Sequence, residues 1–121
     1  MKEQLITYKT AKLAKEKRFN EDCQFVFTDK GEEYNNKIPS TQIPNNYHLR
    51  PSQSLLQKWL RDIHKIDISI LIVAGDNYGA YIHKDRNKQL QFEVHITYEN
   101  QHTIYEETLE RALLESLRLI K

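Results

Sequence analysis

Tyr81, His83, Gln91, Glu93 and His95 are the side chains whose types and spacing come nearest to a chemical site. Alternation at every second position puts Tyr81 and His83 on one face of a strand and Gln91, Glu93 and His95 on the same face of the next. Imidazole and carboxylate groups on one surface suit a divalent metal or the movement of a proton. The outer face of any antiparallel sheet is polar for reasons of solvation alone, and that is the expected reading here. No catalytic residue, metal or cofactor is assigned.

The other candidates are isolated. Cys23 is the single cysteine, so no intrachain disulfide forms, and with no positioned histidine or cation beside it the thiol reads as structural. His48, His64 and His102 fall in a loop, at a helix end and in a turn before a helix; at a helix C-terminus, His64 would complement the dipole as an imidazolium. Lys9, Lys12, Lys15, Lys17 and Arg18 crowd the first helix, and Lys58, Arg61 and Lys65 the central one. Converging cations of this kind contact phosphates, whereas lysines flanking a thin apolar stripe are ordinarily its wet face. Trp59 reads as core, four residues from Leu55 and from Ile63. Glycine cradles, paired cysteines and nucleophile elbows are absent from the sequence.

With 18 Lys+Arg against 17 Asp+Glu, the net charge of +1 provides no global field for gathering polyanions. Residues 1–65 hold 12 basic and 8 acidic side chains, and residues 66–121 hold 6 and 9, a weak polarity of +4 against −3. The 121 residues, 39% hydrophobic, suffice for one modest core. Neither an apolar leader nor a run of about 18 apolar residues occurs, so a soluble cytoplasmic protein with no membrane partner is expected.

These side chains hang on a readable framework. Residues 3–18 predict a helix with a thin stripe. Cys23 to Thr28 predicts a strand, with Cys23, Phe25 and Phe27 on one side, turning at Asp29–Gly31 into a short return strand at Glu32–Tyr34. The polar, proline-containing run 35–50 predicts a long loop pinned by Ile38, Ile43, Tyr47 and Leu49. A central helix starts at the N-cap Ser52, with Leu55, Leu56, Trp59, Leu60 and Ile63 inward and Gln53, Gln57, Lys58, Arg61, Asp62 and Lys65 outward. Ile66, Ile68, Ile70 and Ile72 then switch the period to that of a strand.

A turn at Gly75–Asn77 pairs Ala74 with Tyr78, which sets Ile72 opposite Ala80 and Ile70 opposite Ile82. Residues 90–98 form the third strand of the meander, after a turn at Asp85–Gln89. Thr103 and Glu106 form a capping box for a last helix whose stripe is Tyr105, Leu109, Ala112, Leu113, Ser116, Leu117 and Ile120. Leu114 falls off that stripe and points to a partner contact. The expected fold is a single α+β domain over 1–121, ordered α-β(β)-α-β-β-β-α, with helices on the apolar face of an antiparallel sheet.

Three stretches, KLAKEKRFNEDC, PSQSLLQKWLRDIHKIDISI and TIYEETLERALLESLRLI, resemble a family of small proteins of gut Bacteroidetes and their phages and prophages, to which no activity is assigned. Arg18 stands where that family pattern leads one to expect glycine, and Thr108 where it leads one to expect alanine. The resemblance implies a phage or mobile-element setting. The expected function is that of a non-catalytic interaction or accessory protein, with a protein partner or as a homodimer through its last helix or a sheet edge. The alternative is a nucleic-acid-binding factor using Lys9, Lys12, Lys15, Lys58, Arg61 and Lys65. A third is a small metal-dependent enzyme at His83, Glu93 and His95.

Overall fold

The structure, a computed structural model, describes residues 4–35, 39–72, 78–84, 92–95 and 105–120. Among them run α1 (Tyr8–Glu16), β1 (Phe25–Phe27), β2 (Glu33–Asn35), β3 (His48–Arg50), α2 (Gln53–His64), β4 (Ile66–Ile72), β5 (Tyr78–Lys84), β6 (Phe92–His95) and α3 (Tyr105–Arg118). The α+β class is as the periodicities predict, but the strands form two antiparallel sheets, β2-β1-β3 and β4-β5-β6.

The first sheet contains a strand that the sequence hides in the predicted loop. β3 pairs with β1, with Val26 opposite Leu49 and Phe27 opposite His48. Three residues carrying one buried leucine show no period; their extended shape comes from the free edge of β1. The β1–β2 hairpin turns through Gly31 at φ +82, where an added Cβ would meet the Tyr8 ring at 3.2 Å. Val26 and Phe27 are both buried although they point to opposite faces, so this small sheet is covered on both sides.

α1 starts at Thr7, whose hydroxyl accepts the Thr10 amide, and ends in a Schellman motif. Phe19 N–H donates to Ala14 O and Arg18 N–H to Lys15 O, each at 3.0 Å, with Arg18 held at φ 70. That is the position where glycine would be expected, because a Cβ in the left-handed region costs about 1–2 kcal/mol. Arg18→Gly is therefore expected to stabilise the protein by about 1 kcal/mol, after allowing for the extra chain entropy of glycine. A rise in urea midpoint at unchanged slope would show it; a fall would refute it.

α2 starts as expected, with Ser52 Oγ accepting Leu55 N–H at 3.2 Å, and buries Leu56, Trp59 and Leu60. Two of its side chains lie contrary to the wheel. Gln53, assigned to water, is buried, and Ile63, assigned to the core, is 59% exposed. Lys65 at φ 58 ends the helix, and β4 begins at the next residue.

β4 and β5 pair with Ile72 opposite Tyr78, Ile70 opposite Ala80 and Ile68 opposite Ile82. This register is two residues displaced from the predicted one, which keeps the same faces together because side-chain direction has a period of two. The predicted turns at Gly75–Asn77 and Asp85–Gln89, and the cap residue Thr103, lie outside the described residues.

α3 is the hub: it packs on α1, α2 and all three strands of the second sheet. Leu109, Ala112, Leu113, Ser116 and Leu117 are buried there within one chain, while Tyr105 at the start of the stripe is 43% exposed. Leu114, off the stripe, is half-buried beside α1. Glu110 joins all three helices. Its Oε2 accepts Thr7 N–H and Thr7 Oγ1–H, both at 3.0 Å, and the Thr10 hydroxyl, while its Oε1 accepts Gln53 Nε2–H at 3.1 Å. Gln53 Nε2 also donates to Glu106 O at 2.8 Å. At the other end of α3, Lys17 Nζ donates to Ile120 O at 2.6 Å.

Candidate functional site

The outer face of the second sheet carries the first candidate. The register puts Asp67 opposite His83, Ser69 opposite Tyr81, Tyr81 opposite Glu93 and Gly79 opposite His95. Tyr81, His83 and Glu93 do share a neighbourhood, and Asp67 joins it, which the alternation of residues 66–73 could have shown. By backbone register His95, opposite Gly79, stands four positions along the strand from His83, about 13 Å at 3.3–3.4 Å per residue. Gln91 and the side chains of Glu93 and His95 lie outside the described residues. Among those described, no three His, Cys, Asp or Glu side chains are grouped to hold a metal.

Three other titratable groups have been turned inward. The Cys23 thiol is pushed up to about 12 by burial and by the adjacent Asp22 and Glu21, and it donates to Glu21 O at 3.3 Å, so thiolate chemistry is suppressed. Burial of His64 works against the imidazolium that would complement the α2 dipole. Its ring lies 4.7 Å from Trp59, and burial, with Lys84 nearby, pulls its pKa below the ordinary value. His48 is lowered likewise by burial and by Lys15 and Lys12, with its ring 5.5 Å from Tyr8. His48 Nδ1 and His64 Nε2 are buried without hydrogen-bond partners.

These two histidines predict an acid weakness. Each binds a proton less readily folded than unfolded, so their contribution is complete above the unfolded value of about 6.5 and is lost as pH falls through it toward the folded values. The urea midpoint should fall between about pH 7.5 and pH 5.5, and His48→Gln with His64→Gln should flatten that segment of the profile. An unchanged slope in the double variant would refute the assignment.

The basic residues divide by occupation. Lys15 Nζ donates to Tyr47 O at 2.8 Å and to Asn45 O, anchoring the segment before β3. Lys58 pairs with Asp62 at 2.6 Å, Arg61 lies 3.8 Å from the same carboxylate, and Lys65 Nζ donates to Asp62 O at 3.2 Å. The Lys58 hydrogen bond holds Asp62 below the usual carboxylate range. The α2 cations thus surround their own counter-ion.

Lys9 and Lys12 stand elsewhere, on a cleft of about 320 Å³ between α1 and α3. Leu13 and Leu114 line it half-buried; Lys9, Lys12 and Arg118 are exposed along it, with Glu16 as its acidic lining residue. Lys12 Nζ sits 5.4 Å from the centroid of the Tyr8 ring, and Arg118 pairs with Glu115 at 2.6 Å. Lys9, Lys12, Leu13 and Glu16 have the spacing of one helix face, which made half of this cleft visible in the sequence; Arg118 and Leu114 come from a helix about 100 residues later.

No family model, no curated protein and no solved structure matches this chain. No helix among the described residues is long and apolar enough to cross a membrane.

Proposed function

We propose that the chain is a non-catalytic interaction protein, an accessory factor of a phage or mobile element acting in the cytoplasm, which docks a protein partner on the α1/α3 cleft. The observation that carries this is the combination in one cleft of half-buried Leu13 and Leu114 with exposed Lys9, Lys12 and Arg118. Apolar surface edged by charge has the anatomy of a protein-docking site. Burial of Cys23, His48 and His64 is in keeping with this reading, since these three described groups are spent on packing.

The test is affinity capture from host extract with wild-type protein and with Leu114→Asp, whose fold is checked by circular dichroism. A partner held by the wild type and lost from the folded variant supports the proposal. Failure of the wild type to retain any protein, or equal retention by both, removes it. The nucleic-acid reading has less support, because Lys15, Lys58, Arg61 and Lys65 are engaged within the chain.

A further inference from the structure

We infer that the occupant of the α1/α3 cleft is an acidic peptide segment carrying a large apolar anchor residue, an inference that rests on the docking reading above.

Charge selects the sign of the partner. The α1 wall of the cleft holds Lys9 and Lys12 against Glu16. Across the cleft, the charge of Arg118 is already met by Glu115. The positive field over the cleft therefore comes from α1, and Lys9 and Lys12 are its nearest exposed sources.

The lining selects the rest. Leu13 and Leu114 remain half-buried, so an incoming apolar side chain completes a contact that the chain leaves open. A cleft of 320 Å³ takes one or two such side chains and not a whole domain face. The same lining argues against a polynucleotide. Tyr8 is the aromatic ring available for stacking a base, but Lys12 covers it, while Phe27 and His48 contact it edge-to-face at 5.2 and 5.5 Å and its hydroxyl donates to Asp29 O at 3.2 Å.

The test uses the full chain and a fluorescein-labelled peptide of repeated Glu-Glu-Leu, followed by anisotropy. Saturable binding is expected, weakened about tenfold by Lys9→Glu with Lys12→Glu, and weakened about as much when the leucines of the probe are replaced by serine. Raising salt from about 50 to about 300 mM should weaken it severalfold, as the ion pairs are screened. Circular dichroism of the double variant separates lost binding from lost fold, and the serine probe tests the anchor on wild-type protein alone.

Four results would overturn the inference: no saturable binding at low salt; binding indifferent to both the double variant and the serine probe; tighter binding of a short oligo-dT that the double variant abolishes; or a concentration-dependent dimer, seen by sedimentation and abolished by the double variant. If host capture is lost in Leu114→Asp while the acidic peptide does not bind, the partner class is wrong and the docking face stands. If wild-type capture also fails, both fall.

Discussion

Glu110→Ala is expected to destabilise the protein by about 3 kcal/mol, because one half-buried carboxylate satisfies donors from two other elements, among them the buried Thr10 and Gln53. Thr7 N–H, the Thr7 and Thr10 hydroxyls and the Gln53 amide all converge on it. The charge also lies at the N-terminal ends of α1 and α2, capped at Thr7 and Ser52, where a negative group complements both helix dipoles. Removing it leaves buried Thr10 without this acceptor and leaves Gln53 with Glu106 O alone.

Glu110→Gln should cost less, about 1–2 kcal/mol, since it keeps an acceptor oxygen but turns an NH₂ toward groups that also donate. Urea denaturation of the three proteins should rank wild type above Gln above Ala. Equal midpoints for wild type and Ala would show that the joint contributes nothing.

The second large effect is at Trp59. Its indole meets Phe19 at 5.2 Å and His64 at 4.7 Å, both edge-to-face, and it is buried between α2 and the rest of the core. Trp59→Ala is expected to cost about 3–5 kcal/mol, a large part of the 5–15 kcal/mol typical of a whole domain. It should also open one side of His64, let its pKa rise toward the ordinary value, and so reduce the acid sensitivity as well as the overall stability. Trp59→Phe keeps an aromatic filler and should cost distinctly less. Far-UV circular dichroism is the suitable probe, because Trp59 is the only tryptophan and fluorescence is lost with it. A Trp59→Ala protein as stable as the wild type, or one whose pH profile is unchanged, would contradict this account.

Much of the framework was legible because its signals are local. The Ser52 cap is a one-residue signal, the α2 triplet Leu56, Trp59 and Leu60 falls at helical spacing, and the α3 stripe repeats with the helix period over several turns. The core face of β4 is equally plain in Ile66 and Ile68. The candidate cleft was half legible: Lys9 and Lys12 stand out, but as a basic face suggesting phosphate. Only the arrival of Leu114 and Arg118 gives that face an apolar wall. Leu114 was visible as a residue off its stripe, and what it meets was not.

What the sequence determined by itself is which side of each element is apolar, since that follows from backbone periods of 3.6 and 2 and needs no partner. It therefore placed Ile66 and Ile68 inward even with the β4–β5 register displaced by two. What only the tertiary structure decided is which apolar sides meet. Residues far apart in the chain choose partners by total burial and by satisfaction of buried polar groups, and no local period encodes that choice. So α3 became the hub, β3 emerged from a polar run, Gln53 turned inward to reach Glu110, and His64 was packed against Trp59. The chemical candidates with which the chain is dotted divided on the same ground, some buried by packing and Lys9 and Lys12 left beside an open cleft.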